Sequence, residues 1–559
     1  MGFRSEYLGY DAIEATLRAW AALHPNVVRV ESIGKSAEGR DLLLLIIGPD
    51  PERMRPAAWI DGNMHATEVC GSSVALAIAE DVIALHTGKD TVRDLPKAMC
   101  DRLRETLFYV LPRMCPDGAE TVLREGRYVR SNPRDRRAHA PTPRWIHGDV
   151  DGDGKALLMR KESPHGDFVE AKEFPGLMLP RTIEDEGPFF EIWPEGTIEN
   201  WNGHSVPDPH YLSDNDVDLN RNFPWTWMPE PTQVGAGAFA ASEPESRAVV
   251  EWTSARTNIF TWLNLHTFGG VYIRPLGNAP DSKMEPMDLG VYRQVAEWGQ
   301  TYGGYPTVSG FHEFLYEPDK PLYGDLADFA YHHRGAIGYV CELWDLFAEL
   351  KIERKKPFVD HYSHITRAEM LRFAEWDRDH NASRVFVPWR KVKHPQLGDV
   401  SVGGMDIRVG LSNPPLERIA EVCERQSKAF LRVAAMAPAL RVRKLAVEDH
   451  GDARAVHVTI DNDGYLPTYV LSSAKKHAID ARVFAEAECT GATLVSAPRV
   501  EVGHLEGWGR GLWATSIFHQ RSDGNRGSFK VTFLVRGKGT IRIRAHGLRV
   551  GAAELVVEV

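Results

Sequence analysis

Hydrophobic and polar positions follow two alternating patterns over the first part of this chain. Apolar residues recur with helical spacing from Tyr10 to Leu23, and the runs VVRVESIG and DLLLLIIG that follow predict strands. VCGSSVALAIAEDVIALH then predicts a helix, and TLFYVLPRM predicts a further strand. Strands that alternate with helices in this way predict an α/β fold, in which a mostly parallel or mixed sheet has helices on both faces.

The alternation resumes after Ser213 and lasts to Pro438. It predicts a strand at IFTWLNLH and a closing helix at NPPLERIAEVCERQSKAFLRVAAMAP. Further elements are predicted as helices at Glu243–Arg256, near Leu289–Tyr302, before AIGYVCEL and around Ile365–His380, and as a turn and strand at HPQLGDVSVGG. Residues 1–438 are therefore expected to form one large domain.

The segment from about Arg134 to Ser213 interrupts this pattern. It is rich in proline, glycine and acidic residues, and it shows no sustained period. We therefore expect an inserted subdomain at about residues 134–213, which covers one side of a functional site rather than forming part of the core.

The pattern changes completely beyond Pro438. Short alternating runs separated by Gly, Asp and Asn turns predict strands at RVRKLAVED, AVHVTIDN, TYVLSSA, ARVFAEAE, KVTFLV, TIRIRAH and AELVVEV. Such a series over residues 439–559 predicts an antiparallel β-sandwich. The segment contains no visible catalytic cluster, so we expect a folding aid or an interaction module.

Composition excludes some classes of protein. At 559 residues, the chain exceeds the size that one hydrophobic core usually supports. Its formal net charge of −11 argues against a nucleic-acid partner. No segment approaches the roughly 18 uninterrupted apolar residues of a membrane span. The oligomeric state is left open by the sequence.

The spacing of the cysteines gives information about the cellular compartment of the protein. All six lie far apart, without a CxxC pair, and this distribution indicates a reducing environment. The first twenty residues lack the apolar centre of a signal peptide. We therefore expect a cytoplasmic protein, or a secreted one if a signal has been omitted from the sequence.

Three apolar, β-favouring runs end on residues that bind metals or act as acids and bases. The runs are AAWIDGNMHATE, IFTWLNLHTFGG and AIGYVCELWD. They present His65 with Glu68, then His266, and then Glu342. Because loops at the carboxyl ends of α/β strands converge on one crevice, these side chains are expected to meet. A catalytic zinc ion needs three protein ligands and one open position, so the joint pattern predicts a zinc hydrolase.

On these residues the chain from about Tyr7 to Pro438 resembles the zinc metallocarboxypeptidases of the carboxypeptidase A type. The resemblance implies that His65, Glu68 and His266 bind zinc (Zn2+) and that Glu342 is the general base and acid. The interval from His266 to Glu342 fits the family. The interval from Glu68 to His266 is longer than usual, and the insertion accounts for the excess.

Other motifs extend the resemblance to substrate binding. VDLNRNFPW resembles the segment whose Asn-Arg pair holds a terminal carboxylate, which implies that role for Asn220 and Arg221. Asp218 matches the carboxylate that orients the first zinc histidine. YVRSNPR resembles the arginine segment of the family, and Arg130 is the first choice for stabilising the oxyanion, with Arg127 and Arg134 as rivals.

The resemblance also implies a mobile tyrosine and a specificity position. Both Tyr316 and Tyr323 qualify for the tyrosine. The specificity position falls at Ala327, beside Asp328, and an uncharged residue there favours apolar or unselective recognition of the side chain. Thr67 occupies a place where the family often has an arginine, so one auxiliary contact to a carboxylate is missing.

The insertion contains a possible calcium (Ca2+) loop in GDVDGDGKALLMR. Asp149, Asp151 and Asp153 resemble the first half of an EF-hand loop, in which alternate carboxylates surround one cation. The twelfth position holds Arg160 instead of glutamate, so this is not a true EF-hand. The competing interpretation is a polar turn with solvated acids.

The leading functional hypothesis is a zinc-dependent hydrolase that removes C-terminal residues from peptides. A second hypothesis is a zinc amidase or deacylase that acts on small acyl-amino acids or cell-wall peptides. A third is a non-catalytic peptide-binding protein that has kept the fold. All three imply a peptide or acyl-amino acid ligand with a free carboxylate, without a nucleic-acid or membrane partner.

Overall fold

A computed structural model describes residues 2–134, 141–209, 217–317, 320–477, 481–510 and 524–559. Its helices are α1 (Tyr10–Leu23), α2 (Cys70–His86), α3 (Lys97–Arg104), α4 (Pro116–Glu125), α5 (Pro244–Ser254), α6 (Pro286–Trp298), α7 (Gly310–Glu313), α8 (Leu326–Asp328), α9 (Leu346–Glu349), α10 (Asp360–Ser363), α11 (Arg367–His380) and α12 (Ile419–Ala434). Among the described residues, none of these helices combines the length and apolar character needed to cross a bilayer.

The strands up to the last long helix are β1 (Val28–Lys35), β2 (Asp41–Ile47), β3 (Ala57–Gly62), β4 (Leu107–Leu111), β5 (Arg144–His147), β6 (Leu158–Glu162), β7 (Phe168–Glu170), β8 (Met178–Pro180), β9 (Phe189–Pro194), β10 (Gly196–Glu199), β11 (Ile259–Thr267), β12 (Val271–Arg274), β13 (Thr307–Ser309), β14 (Ile337–Leu343), β15 (Phe386–His394) and β16 (Gly398–Met405). The strands that follow are β17 (Leu440–Asp449), β18 (Ala453–Asn462), β19 (Val483–Thr490), β20 (Thr493–Leu494), β21 (Arg499–Gly503), β22 (Ser528–Arg536), β23 (Thr540–Gly547) and β24 (Gly551–Glu558).

An eight-stranded mixed sheet forms the centre of the first domain, with the order β1-β2-β4-β3-β11-β14-β12-β13. The four middle strands β4, β3, β11 and β14 are parallel. Alternate residues of β2 enter two different core clusters, with Leu43 and Leu45 in one and Leu42 and Leu44 in the other. Since successive side chains of a strand point to opposite faces, both faces of this sheet are covered. The predicted mixed α/β architecture is confirmed.

Some predicted helices differ in detail. The helix expected near Leu289–Tyr302 is α6, which begins at Pro286 and continues into a π-helical turn at Gly299–Gly303. The helix expected before AIGYVCEL is short, because α8 passes directly into a second π-helical turn at Phe329–His333.

The segment without a sequence period contains six short strands, β5 to β10. Four of them join the later hairpin β15–β16 in a six-stranded sheet with the order β15-β16-β6-β9-β7-β8. The apolar side chains of this region pack against α9 and α11, as the shared cluster of Leu177, Phe347, Trp376 and Phe386 shows. The insertion is therefore stabilised by the pairing of β6 with β16, a strand about 240 residues further along the chain.

The last part of the chain forms two four-stranded antiparallel sheets, β17-β18-β22-β20 and β21-β19-β23-β24, around one apolar core. The strand predicted at TYVLSSA is wrong, because these residues form turns and the start of a 3-10 helix at Ser472–Lys476. Val470, Leu471 and Ala474 are buried in the core of the first domain instead of the sandwich. These apolar side chains therefore pack between the two parts of the chain. The short strands β20 and β21 were not predicted.

Candidate active site

Two histidines and a glutamate meet at the carboxyl ends of the central parallel strands. His65 follows β3, Glu68 lies just before α2, and His266 lies near the end of β11. The Nδ1 atoms of His65 and His266 are 3.0 Å apart. One carboxylate oxygen of Glu68 is 2.8 Å from Nδ1 of His65, and the other is 2.9 Å from Nδ1 of His266. All three side chains are buried.

The outer nitrogen of each imidazole ring is held by a different partner. Nε2 of His65 lies 2.9 Å from Oδ1 of Asp218, and Nε2 of His266 lies 2.6 Å from Oδ1 of Asn264. A carboxylate and an amide oxygen both accept hydrogen bonds, so each Nε2 carries the proton. Each Nδ1 therefore turns a lone pair toward the other ring and toward Glu68.

Asn264 in turn is held by a deeper carboxylate. Its amide nitrogen donates to Asp61, which also accepts from Nε1 of Trp59 at 2.7 Å and from Nε1 of Trp262 at 2.6 Å. Burial raises the pKa of Asp61 to about 6, although these donors lower it in part. This series of hydrogen bonds, which runs from the buried tryptophans through Asp61 and Asn264, fixes the orientation of the His266 ring.

The residues fit a zinc ion. Two nitrogen lone pairs and a carboxylate that converge within 4.8 Å repel one another unless a cation lies among them. Two imidazole nitrogens and one carboxylate are a donor set that zinc uses in catalytic sites. The outer contacts of both rings are of the kind that orients metal-bound histidines. Although burial raises it, the two histidines hold the pKa of Glu68 below its ordinary value.

Glu342 lies beside this donor set. It is paired with His266 in the parallel register of β14 with β11, and both residues line the same cavity of about 290 Å³. Its Oε2 is buried and has no hydrogen-bond partner among the described residues. Burial, followed by the charge of Glu68, raises the pKa of Glu342 to about 8. The site thus contains a carboxyl group that is free to accept and release a proton.

The structure separates the three candidate arginines. Arg130 lines the cavity, where Nε and Nη2 donate to Oδ2 of Asp218 at 3.0 and 2.9 Å. Its Nη1 lies 3.6 Å from Glu68. The rivals pair elsewhere, Arg127 with Glu125 and Arg134 with Glu243. Only Arg130 of the three is thus brought to the donor set.

Asp218 links the zinc donors to the residues expected to hold a terminal carboxylate. Its Oδ1 accepts from the backbone N–H of Asn220 at 2.8 Å, at the start of the 3-10 turn Leu219–Arg221. Asn220 and Arg221 are buried and line the cavity. The guanidinium of Arg221 donates to the carbonyl of Asn220 at 2.7 Å and forms no ion pair with a described residue. A carboxylate that enters the cavity would therefore find an unneutralised arginine.

Of the remaining residues predicted to contact the substrate, some line the cavity and one does not. Tyr316 and Ala327 line the cavity, and Thr67 does so as well. Tyr316 is half exposed, with 57% of its surface accessible. Tyr323 does not line the cavity, and its backbone N–H donates to Gln233 instead.

Sequence reasoning missed several residues of the site. Asn264 contacts the ring of His266 and is itself held by Asp61, and Tyr128, Asp325 and Tyr362 line the cavity. A signal was present for Asn264, because a residue two positions before His266 shares its face of the strand. Asp325 lies directly before α8 and Tyr362 lies in the single-turn helix α10, and no period in the sequence points to either residue.

In the acidic loop of the insertion, the three aspartates lie close together. Oxygen atoms of Asp149, Asp151 and Asp153 lie within 4.8 Å of one another. Arg390 pairs with Asp151 and lies 3.3 Å from Asp153, so an arginine of the protein partly neutralises the loop. Asp149 accepts from the backbone N–H of Gly154 at 2.8 Å. Calcium binding at this loop stays a prediction.

Comparisons with known proteins agree with this geometry. Residues 13–166 and 190–354, more than half of the chain, match the family described as zinc carboxypeptidase. The chain belongs to the zinc carboxypeptidase family. Residues 439–558 match a family described only as a domain of unknown function.

Individual relatives of this family member are distant. A zinc carboxypeptidase of Saccharothrix mutabilis subsp. capreolus is 27% identical over 35% of this chain and 50% of its own length. Carboxypeptidase B of Astacus astacus is 31% identical over 31% of this chain and 49% of its own length. The chain thus spans about half the length of these two relatives. The structure of bovine thrombin-activatable fibrinolysis inhibitor, in complex with tick carboxypeptidase inhibitor, aligns with a TM-score of 0.43 and 14% identity over 78% of this chain and 98% of that one.

Proposed function

We propose that this protein is a zinc-dependent carboxypeptidase, which removes single residues from the C-termini of peptides. One observation supports this most strongly. A single cavity is lined by the His65–Glu68–His266 donor set, by the free carboxyl group of Glu342 and by the unpaired guanidinium of Arg221. A zinc site alone would not require the last of these.

The donor set and Glu342 would divide the chemistry of hydrolysis. Zinc, when bound by the three donors, would polarise the scissile carbonyl and acidify a water molecule. Glu342 then accepts the proton of the attacking water and returns it to the nitrogen of the leaving amine. Its Oε2 is buried and has no hydrogen-bond partner among the described residues, so this carboxyl group is available for both roles.

The arginines would position the substrate and stabilise the developing charge. Arg221 with Asn220 binds the terminal carboxylate, since a guanidinium can donate two parallel hydrogen bonds to a carboxylate. Arg130 lies next to Glu68 and would donate to the oxyanion. Its hydrogen bonds to Asp218 hold the guanidinium group in place. The distance between these two arginine positions would select the last peptide bond of the chain.

The decisive test is hydrolysis of blocked dipeptides by the zinc-loaded protein, with matched substrates that carry a free or an amidated C-terminus. We expect cleavage of the free-acid substrate only, because amidation removes the charge that Arg221 binds. Equal cleavage of both would contradict the assignment. Cleavage confined to small acyl-amino acids or cell-wall peptides would favour an amidase. Binding without turnover at full zinc occupancy would favour a peptide-binding protein.

A further inference from the structure

Two arginines without a counter-ion lie where the C-terminal part of the chain contacts the first domain. Arg334 precedes β14, and Arg549 lies in the turn between β23 and β24. Only 8% of the surface of Arg334 and 1% of that of Arg549 is exposed. Neither guanidinium forms an ion pair with a described residue, and the Nε atom of each is buried without a hydrogen-bond partner. A buried, unpaired charge is costly in a folded protein unless a ligand of opposite charge neutralises it.

The two arginines are close neighbours. Nη2 of Arg549 donates to the carbonyl of Arg334 at 2.6 Å, and its Nη1 donates to that of Gly335 at 3.4 Å. Gly335 has a φ of 58°, and a Cβ atom there would lie 2.7 Å from Nη2 of Arg549 and 2.6 Å from the Cβ of Ala474. Glycine thus lets Arg549 and the segment around Ala474 approach the backbone before β14 closely.

A histidine of the C-terminal part lies close to these arginines. His477 follows the 3-10 helix Ser472–Lys476, and its Nδ1 is buried without a hydrogen-bond partner among the described residues. Burial lowers the pKa of His477 to about 4, and the charge of Arg549 is the next cause. His477 is therefore near enough to the arginines for their charge to act on it, and it is neutral near pH 7.

The first domain contributes two further histidines, which come directly before Arg334. The ring of His332 stacks on that of Trp225 at 4.3 Å, and the ring of His333 meets the same tryptophan edge-on at 5.2 Å. Burial, followed by the charge of His477, lowers the pKa of His332 to about 4. Burial, followed by the charge of Arg334, lowers the pKa of His333. We call these five groups the interface cluster: Arg334, Arg549, His332, His333 and His477.

The buried acid of the same contact is already engaged. Asp288 of α6 accepts from the backbone N–H of Ser472 at 2.6 Å through Oδ1. Its Oδ2 accepts from the backbone N–H of Ser473 at 3.2 Å and from the hydroxyl of Tyr331 at 2.9 Å. This acid forms no ion pair with either arginine, so the positive charge of the interface cluster is left for a ligand.

The interface cluster is separate from the cavity of the candidate active site. Arg334 lies before the first residue of β14, whereas Glu342 is the last but one residue of that strand. A strand of 7 residues is about 20 Å long, so the cluster lies at the opposite edge of the central sheet. None of its five residues lines the cavity.

We propose that the interface cluster binds a free tetrahedral dianion of the phosphate type, which bridges the first domain and the C-terminal sandwich. Two negative charges balance the two fixed positive charges, and the oxygens accept from guanidinium and imidazole donors. Because Arg549 is almost wholly enclosed, the site takes a free ion rather than a phosphate group on a larger molecule. The bound ion stabilises the contact between the two parts of the chain, so this inference is independent of the reaction in the cleft.

Thermal unfolding of the zinc-loaded protein tests the inference. Sodium phosphate at about ten times its Kd should raise the melting temperature by about 1–3 °C relative to sodium chloride of equal ionic strength. In Arg334→Gln this rise should disappear, and calorimetric titration should show an affinity for phosphate that is lower by about tenfold or more. Without phosphate, the melting temperature of this variant should be no lower than that of the wild type, because an unpaired buried charge has been removed. Arg18→Gln, at an exposed arginine of α1, is the control and should respond to phosphate as the wild type does.

A second variant excludes the cleft as the source of the effect. Arg221→Gln should keep the full rise with phosphate, since this arginine lines the cavity and not the interface cluster. A rise that is lost in Arg221→Gln and kept in Arg334→Gln would contradict the inference. So would a wild type that responds to phosphate no more strongly than to chloride.

The last comparison concerns the kind of phosphate. O-phosphoserine should bind more weakly than inorganic phosphate by about tenfold or more, because the enclosed site has no room for the attached group. Tighter binding of O-phosphoserine would show that the site takes a phosphorylated molecule, and the assignment of a free ion would be wrong. Should Arg334→Gln not fold, Arg334→Lys keeps the charge without the planar fork and should weaken phosphate binding. An unchanged affinity in Arg334→Lys would then count against the site.

Discussion

The two histidines of the candidate zinc site are oriented by unlike partners. His65 is held by a carboxylate, Asp218, which also binds Arg130 and the turn of Asn220. His266 is held by an amide, Asn264, which rests on the buried Asp61. A displacement of Asp218 would thus disturb His65, Arg130 and the turn of Asn220 together, whereas the support of His266 is confined to the core.

At the residue scale, Glu342→Gln should abolish turnover while the protein keeps its metal. Glutamine fills the same space but cannot accept the proton of water, so kcat should fall by about 10²–10⁴-fold. Glu342 is not one of the three donors, so the zinc content measured by elemental analysis should be unchanged. The exposed Glu353→Gln is the control and should keep full activity. Wild-type turnover in Glu342→Gln would remove this residue from its assigned role.

At the scale of elements, the ends of three strands carry the candidate zinc donors and Glu342: His65 and Glu68 follow β3, His266 lies on β11 and Glu342 on β14. β3, β11 and β14 are parallel neighbours, and parallel strands bring their carboxyl ends to one edge of the sheet. The insertion instead depends on the hairpin β15–β16, whose second strand pairs with β6. A strand of three to six residues with mixed polarity gains stability only from such partners.

The acidic loop of the insertion is held by hydrogen bonds to a glutamate whose pKa is shifted. Glu195, at the end of β9, accepts from the backbone N–H of Val150 at 2.7 Å and from that of Leu157 at 3.0 Å. Burial is the main cause that raises its pKa from 4.5 to about 7, and the charges of Asp151 and Asp149 add to it. The folded protein therefore binds this proton more tightly than the unfolded chain does.

The expected consequence is a pH-dependent stability of the insertion. The contribution of Glu195 is fully present below about pH 4.5 and is lost as the pH rises through about 7. Glu195→Gln does not titrate, so the melting temperature of the wild type should fall relative to this variant between pH 4.5 and 7 and stay level above. Glu191→Gln, on β9 itself, is the control, and its melting temperature should show the same pH dependence as that of the wild type. If the melting temperature of Glu195→Gln also varies with pH as that of the wild type does, the pKa of Glu195 is not raised.

At the scale of the whole molecule, the C-terminal part of the chain completes the core of the first domain. Leu466, Val470, Leu471 and Ala474 are buried in that core rather than in the sandwich. Arg549, 1% exposed, donates to the carbonyl of Arg334 at 2.6 Å. The two parts of the chain therefore share a buried contact, and the sandwich is expected to stabilise the domain that holds the candidate active site.

Leu471→Asp should accordingly destabilise the whole protein. It places a charge in an apolar cluster, which costs about 3 kcal/mol or more in the free energy of unfolding. The measurement is thermal unfolding, followed both by fluorescence and by loss of activity. Leu445→Asp, at an exposed position of β17, is the matched control and should have little effect. An unchanged melting temperature for Leu471→Asp would show that the contact contributes nothing to stability.

The sequence by itself predicted the class of fold, which is confirmed, and it singled out the side chains that we propose as zinc donors and general base. His65, Glu68, His266 and Glu342 end strongly apolar runs, and an apolar run is a local property that can be read without knowing its neighbours. The same holds for the alternation that predicts the mixed sheet and for the change of pattern after Pro438.

The tertiary structure alone decided the features that depend on contacts between distant segments. It brought Arg130, rather than Arg127 or Arg134, to the donor set, and it paired a strand of the insertion with a hairpin about 240 residues away. It also buried Leu471 in the core of the first domain instead of the sandwich. It also placed Asp325 next to the turn of Asn220. Loops and short strands carry no period, so their partners are set by packing and by the burial of polar groups, which only the folded chain defines.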